Sequence, residues 1–387
     1  MKKSIENIKE IVLREFKRIT EQKTIYVLSI ITSLIIFFLY ALIYKNELVR
    51  ELPVGICDLD YSMLSRKITE SVESTSSMKI MHYFTSVEEI KQSMRQGKIV
   101  AAFYIPKGLE NKIKKGENST VVIYINASNL IVSNIIYKDG LTILRTISGG
   151  ILLKKLEAKK LSKESAINLI NPIRLDTNSL YNPNYSYLSY LVPGLIAFSL
   201  QIIIIITAAV SIGSEFTDNS FEKLLKIPDN NLSAILIGKS LPLILIHTVN
   251  VFLILGIIFP LLNIPIHGNV LLVALFIIYY IISCVMLGLL ISSIFHNQLL
   301  ATEFAVFINT PAFILSGFTF PIWAMPLIPR VLAQLMPFTH FLNGFLKLYL
   351  MDTPIATVIP EIGILTLFTI GSFLLSILIL KYKIKKL

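Results

Sequence analysis

Several groupings in the sequence carry residue types that do chemistry in other proteins. Gly238-Lys239-Ser240 reproduces the end of a phosphate-gripping loop, G-x-x-x-x-G-K-[ST]. The first glycine position of that pattern holds Ser233, and no strand of a βαβ unit precedes it. The three residues are expected instead where a membrane helix leaves the cytosol, with Lys239 reaching up to headgroup phosphates. Asp58 and Asp60 follow a β-type run, where carboxylates serve as turn formers and caps more often than as metal or acid pairs. Gln201, His247, Asn250 and Asn309 are polar residues inside long apolar runs, where an unsatisfied polar group is costly. They either bond helix to helix or line a path for cargo, and spacing leaves both open. Glu303 is expected near an inner membrane face, as a partner for a cation or as a simple interfacial carboxylate. The sequence holds no Ser/His/Asp set, no Cys/His cluster and no H-E-x-x-H, so enzyme chemistry on this chain has no support. Its two cysteines, Cys57 in a polar region and Cys284 within an apolar run, support neither a disulfide framework nor a zinc site. No cofactor and no metal is expected on the chain.

One further stretch is set apart by its surroundings. Ser214–Pro228, SEFTDNSFEKLLKIP, is a charged island between apolar runs. No Asp, Glu, Lys or Arg occurs from Thr177 to Ser214, nor between Lys239 and Glu303. A polar island between two membrane-length runs belongs at a bilayer face. Residues 215–228 are predicted to form a short amphipathic helix. Asn219 would cap it, with Glu222 closing a capping box. Phe221, Leu224 and Leu225 would share one apolar face, and Pro228 would end it. Such a helix either rests on the bilayer or docks its apolar face in a groove of a partner protein.

These residues need a membrane to position them. Of 387 residues, 54% are hydrophobic and 16% charged, a composition of polytopic membrane proteins rather than soluble ones. The formal net charge of +11 is assigned to Lys and Arg flanking membrane spans, not to nucleic acid binding. The expected fold is a polytopic α-helical membrane protein of six transmembrane helices, with an α/β domain inserted between helices one and two. Residues 1–24 read as an amphipathic interfacial helix on the inner leaflet, with Ile5, Ile8, Val12, Phe16 and Ile19 at helical spacing and its cations toward anionic headgroups. Span one is predicted at 25–43.

Residues 44–187 change character, with apolar runs too short to cross a bilayer. Strands are predicted at Pro53–Cys57, Met78–Tyr83, Ile99–Ile105 and Thr120–Ile125, helices at Asp60–Val72, Val87–Gln96 and about Asn129–Lys160. That alternation implies an α/β domain. Tyr181, Tyr185, Tyr187 and Tyr190 mark an aromatic rim before span two. The five-helix part, 188–387, holds spans at about 188–212, 241–262, 270–291, 300–318 and 362–380. Between the last two, residues 320–353 mix Pro321, Pro326, Pro329 and Pro337 with aromatics. Short helices dipping into the outer leaflet are expected there. Six spans put both termini on one side, and the basic flanks, including Lys381, Lys383, Lys385 and Lys386, make that side the cytoplasm.

With these elements laid out, the island resembles a known loop. Glu215, Asn219-Ser220, Glu222, Leu224-Leu225 and Pro228 are similar to the E-x-x-x-G-T-x-E-x-L-L-x-x-P loop of type 2 ABC exporter permeases, with Asn219 for the usual Gly and Ser220 for the usual Thr. Leu315–Pro326, LSGFTFPIWAMP, with Pro337-Phe338-Thr339, resembles the L-S-G-F-x-F-P-x-x-x-M-P…P-x-T segment of the same family. Asp58–Arg66 is similar to the start of the large external domain in the drug-exporter-like branch. The resemblance spans nearly the whole chain. It implies the permease subunit of an ATP-driven exporter in a bacterial plasma membrane, moving a small-molecule, drug-like or lipid-like cargo. It also implies partners: separate ABC ATPase subunits carrying ATP and Mg, a second permease copy or a homologue, and a periplasmic adaptor. Glu215–Pro228 would couple to the ATPase. Ser316, Gly317, Phe318, Phe320, Pro321, Met325 and Pro326 would form an outer gate. The rival expectations are an ATP-independent receptor or envelope anchor with a large ectodomain, and a secondary transporter.

Overall fold

A computed structural model describes residues 2–44, 49–173, 178–183 and 186–385. Tyr185 of the aromatic rim and Lys386 of the basic tail lie outside the described residues.

The chain opens with α1 (Lys2–Glu21). Its buried stripe runs through Ile11, Glu15 and Ile19, while Ile5 is exposed, so the face that packs is shifted from the apolar positions expected to meet the bilayer. A second helical stretch follows as α2 (Lys23–Tyr26), a π-helical segment (Val27–Thr32) and α3 (Ser33–Ile43). Within it the apolar helix Val27–Tyr40 is shorter than a full span.

Contacts divide the chain into two units, Leu48–Asn178 and the remainder. In the first, β1 (Leu52–Asp58), α4 (Met63–Glu73), β2 (Met78–Tyr83), α5 (Val87–Arg95), β3 (Ala101–Ile105), α6 (Leu109–Lys115) and β4 (Val122–Ile125) precede α7 (Leu130–Ala158) and α8 (Lys163–Ile170). The sheet order is β2-β1-β3-β4. β1 pairs in parallel with β2 and β3, and β4 runs antiparallel to β3. Side chains alternate between faces with the period of a strand. Val54, Ile56, Ala101 and Phe103 meet Val72 of α4 and Ile136 of α7, whereas Cys57 and Ala102 meet Ile90 of α5. Asp58 closes the turn after β1 by accepting the Asp60 and Tyr61 N–H groups. Asp60 accepts the Gly108 and Glu110 N–H groups at the start of α6.

The second unit continues with α9 (Tyr187–Thr217), α10 (Phe221–Lys226) and α11 (Leu232–Leu253), which runs on through a π-helical turn (Ile254–Ile258) into α12 (Phe259–Leu261). Then come α13 (Val270–Ile294), α14 (Gln298–Asn309), α15 (Ala312–Leu315), a 3-10 turn (Ile322–Ala324), α16 (Leu327–Gln334), α17 (Pro337–Tyr349) and α18 (Ile359–Ile384). Among the described residues five helices are long and apolar enough to cross a membrane: Leu188–Thr217, Leu232–Leu261, Val270–Ile294, Gln298–Leu315 and Ile355–Ile384. The segment expected to dip into the outer leaflet contains the 3-10 turn, α16 and α17. Prolines start its helices, where the missing N–H has no helical partner to lose.

Two span limits differ from expectation near the charged island. α9 continues to Thr217, so Glu215 is helical. α11 begins at Leu232, with the Asn231 side chain accepting the Ala234 N–H. The helix proper of the island is thus α10, shorter than 215–228.

Candidate functional site

The turn between α9 and α10 is set by backbone geometry. Asn219 has φ 53°, in the left-handed region. The Asn219 N–H donates to the Phe216 carbonyl and the Ser220 N–H to the Glu215 carbonyl, the paired closure that ends helices at a left-handed residue. Asn219 therefore caps the end of α9. The expected capping box does not form: Ser220 precedes α10 and makes no side-chain cap. The Ser220 hydroxyl instead donates to the Glu215 carboxylate.

Glu215 is the hub of a buried ion cluster. Arg14 grips both carboxylate oxygens, Nη1 to Oε1 at 2.7 Å and Nη2 to Oε2 at 2.8 Å. Arg18 pairs with Glu215 through Nη1, and with Asp218 through Nη2 at 2.7 Å. From α11, Lys239 Nζ lies 3.0 Å from Glu215 and 2.6 Å from Glu15 Oε2, and donates to the Ser211 carbonyl. The Ser211 hydroxyl donates to the other Glu15 oxygen at 2.7 Å. The Lys239 and Glu215 side chains are 0% exposed and Glu15 is 1% exposed, so these three charges are shielded from water, whereas Asp218 at the edge of the cluster is exposed. Arg14, Arg18 and Lys239 balance Glu15, Glu215 and Asp218. Burial of charge is tolerable only with such pairing and hydrogen bonding. The Glu215 carboxylate also raises the Arg14 guanidinium above its ordinary value, mainly by hydrogen bonding and against the opposing effect of burial.

These pairs correct two expectations. Arg14 and Arg18 face α9 rather than lipid headgroups, and Lys239 faces the cluster rather than snorkelling. A buried glutamate on each side outcompetes a distant phosphate. Gly238 permits the approach: a Cβ there would lie 2.5 Å from Ile11 Cγ2 of α1. Gly238-Lys239-Ser240 sits inside α11 rather than in a loop.

α10 lies against this cluster with its apolar side inward. Phe221, Leu224 and Leu225 are buried within the unit, and Phe221 stacks on Phe216 at 4.3 Å. Lys383 Nζ stands 4.8 Å from the centre of the Phe216 ring. The side left exposed carries Glu222, Lys223 and Lys226, while Pro228 is buried. The apolar face expected to dock on a partner is already occupied. Any partner would meet the charged side.

The proline-broken segment lines an open cavity of about 400 Å³. Ser316, Gly317, Phe318 and Pro321 of the predicted gate line it. Tyr190 stacks on Phe318 at 4.7 Å and donates its hydroxyl to the Phe318 carbonyl. Gly194 leaves room for that ring, since a Cβ would lie 2.6 Å from it. Phe320 is exposed and Met325 buried. The Met325 carbonyl accepts from Arg330, and Pro326 leads into α16. These three gate candidates lie off the cavity wall.

The sequence profile of ABC-2 family transporter proteins matches residues 23–378. The chain belongs to this family. It is 25% identical over 341 residues to the Escherichia coli protein named "Probable multidrug ABC transporter permease YbhR", with 88% of each chain covered. To the E. coli protein named "Probable multidrug ABC transporter permease YbhS" it is 21% identical over 369 residues, covering 91% of each. To "ABC transporter G family member 20" of Dictyostelium discoideum it is 24% identical over 342 residues, covering 86% of this chain and 44% of that protein. The chain is therefore a transporter permease and a membrane protein, and the ABC-2 family works with an ATPase partner in general. Arg14, Glu15 and Arg18 belong to α1, which precedes the matched residues.

The four intramembrane polar candidates of this ABC-2 permease form two separate groups. Gln201 Nε2 donates to Asn309 Oδ1 at 2.5 Å, and Gln201 Oε1 accepts from the Tyr280 hydroxyl. His247 Nε2 is 3.2 Å from Thr207 Oγ1, and Asn250 Nδ2 donates to the Ser29 carbonyl at 2.8 Å. All four are buried and bonded to other helices. Glu303 is exposed and has no ion pair among the described residues.

Sequence reasoning missed Glu15 and the inward face of Arg14 and Arg18. It also missed Glu361, a buried carboxylate at the start of α18 that pairs with Lys347 at 2.6 Å and accepts from Asn343 at 2.7 Å. The available signal for Glu361 was its position one residue before the last predicted span.

Proposed function

We propose that this permease is the membrane half of an ATP-driven exporter whose motor is a separate ABC ATPase. Two ATPase subunits, carrying ATP and Mg, would engage two permease copies, or one copy and a homologue. The observation that carries this reading is the buried ion cluster beneath α10. It ties α1, the end of α9 and the start of α11 into one block, with a charged surface on the outside. A push on Glu222, Lys223 or Lys226 would be delivered to three helices at once rather than dissipated in a loop.

In this reading the stretch from Lys23 to Ile43 is a sixth span. Both termini and α10 are cytoplasmic, the chain resides in a bacterial plasma membrane, and the α/β unit is on the far side, available to an envelope adaptor. Movement is outward, past the Ser316–Pro321 segment, and the cargo is a drug-like or lipid-like small molecule. The printed names of the E. coli relatives are consistent with that cargo class. Gln201, His247, Asn250 and Asn309 would meet cargo only in a state in which their present bonds have opened.

Copurification tests the coupling role. The chain is coexpressed with a candidate ABC ATPase subunit, and the triple reversal Glu222→Lys, Lys223→Glu, Lys226→Glu is compared with the parent. The reversal is expected to lower recovery of the ATPase at least tenfold, while the melting temperature of the permease stays within a few degrees. Undiminished recovery would refute the assignment of this face. Leu224→Asp is a poor substitute, because Leu224 is 0% exposed and the variant would disturb α10 itself.

A further inference from the structure

The sheet of the α/β unit ends on β2 at one side and β4 at the other, and the two edges are built differently. An edge strand offers a row of unpaired N–H and C=O groups to any strand that approaches it. β2 is guarded. Lys79 pairs with Glu51 at 3.0 Å, His82 is exposed, and the register against β1 slips between Val54 and Gly55. β4 carries none of these guards. No Asp, Glu, Lys, Arg or Pro occurs between Glu117 and Lys138, and β4 pairs with β3 without a register shift.

The free row on β4 follows from its pairing. The Asn126 N–H donates to the Val100 carbonyl at 2.8 Å, so Asn126 turns its backbone groups toward β3. In an antiparallel ladder that direction alternates residue by residue. Tyr124 and Val122, opposite Ala102 and Tyr104, therefore also face β3, and Val121, Ile123 and Ile125 turn their N–H and C=O groups away. No strand lies beyond β4 among the described residues.

These outward residues are spaced symmetrically about Ile123. A second copy brought up antiparallel, with Ile123 opposite its own counterpart, sets Val121 against Ile125 and Ile125 against Val121. Each facing pair can then exchange both of its N–H···O bonds. The copy meets no like charge along this stretch, although the chain as a whole carries a formal +11. The helix that follows, α7, adds Leu130, Ile131 and Tyr137 to the same uncharged stretch, all exposed. Clustered exposed apolar residues mark interaction sites.

We propose that β4 is the edge by which two copies of this chain join their α/β units into one continuous sheet, antiparallel and centred on Ile123. The presence of a second copy rests on the two-copy reading above, and a joint that pairs like with like favours a homodimer over one copy plus a homologue. The pairing needs no ATPase, so it can fail while the coupling face of α10 stands, and the reverse.

Short-range cross-linking tests it, in membranes holding the full chain expressed without an ATPase. In the proposed register Val122, 36% exposed, lies diagonally across the joint from its counterpart, about 7–8 Å away and within reach of a short bismaleimide. Cys57 and Cys284 are buried, so the parent supplies the background. Val122→Cys is expected to give a species of twice the chain's mass, and Lys79→Cys on the guarded β2 edge about a tenth as much. Val121→Pro, added to Val122→Cys, removes an outward donor and leaves the bonds to β3 in place. It should cut the cross-link about tenfold, with the melting temperature within a few degrees of the parent. If that variant proves unstable, the comparison of Val122→Cys with Lys79→Cys decides alone. The proposal is overturned if Val122→Cys yields no double-mass species, or links to a different protein instead. Equal yield from Lys79→Cys, a yield that falls as the membranes are diluted with lipid, or a yield that a stable Val121→Pro variant leaves unchanged would each overturn it as well.

Discussion

At the scale of single residues, Lys239 and Glu15 make the sharpest case. They lie 224 positions apart and meet at 2.6 Å with no exposed surface on Lys239. Removing one member of a buried pair leaves the other charge unpaired, which costs about 3–5 kcal/mol. Lys239→Met is therefore expected to lower the thermal midpoint in detergent substantially, because among the described residues Glu15 then has only the Ser211 hydroxyl at hydrogen-bonding distance. Lys239→Met with Glu15→Met should regain most of the loss, since Glu215 keeps both arginines. If the double variant melts no higher than the single one, the charge pairing is not what holds α1. None of this pairing was readable beforehand. Lys239 was legible as a cation at a membrane boundary, but lipid phosphate and a buried glutamate are equally good partners on paper. Only the three-dimensional meeting of α1 and α11 chooses between them.

Elements fared better where local chemistry sufficed. Strand alternation placed β1 to β4 within a residue or two, and the proline-rich segment was legible as short broken helices. The α9–α10 turn was misjudged because Asn serves equally at a helix start and at a left-handed helix end, and Glu215, neutralised by distant arginines, lets α9 run on. In the α/β unit, Asp60 holds the start of α6. Burial works to raise its pKa, but the Ser62 hydroxyl and the Glu110, Gly108 and Leu109 N–H groups outweigh it, leaving the carboxyl below the ordinary carboxylate range. A carboxyl lowered in the folded state contributes stability above its unfolded value, about 4, and loses it as pH falls through the lower folded value. Asp60→Asn should thus speed amide exchange at Gly108–Glu110 near neutral pH, by about 1 kcal/mol of protection. Acidification should bring the parent down toward the variant. A constant gap from pH 7 to pH 2 would contradict the assignment.

For the whole molecule, the decisive quantity is sidedness. Cys57 and Cys284 are both free and buried, which leaves a quiet background for labelling. Lys91 on α5 and Glu222 on α10 are both exposed. In the proposed topology, Lys91→Cys should react with a membrane-impermeant maleimide once the outer envelope is opened, and Glu222→Cys only after the plasma membrane is breached. Reaction of both from the same side would end the six-span topology and with it the route from motor to gate. The number of spans was legible from apolar run length except at the first. There the apolar helix among the described residues, Val27–Tyr40, is shorter than a full span.

The π-helical segment in that helix has a consequence for how the first membrane stretch is wound. A turn of Val27–Thr32 takes in an extra residue, and reverting it to ordinary winding would rotate everything after it by about 100° and shift it about 1.5 Å. The Ser29 carbonyl in this turn accepts from both Asn250 Nδ2 and Ser33 Oγ. Asn250 of α11 therefore clasps the wide turn. Releasing that clasp would free Ile35, Phe38 and Leu42, now exposed along α3, to swing to a new azimuth without a break in the chain.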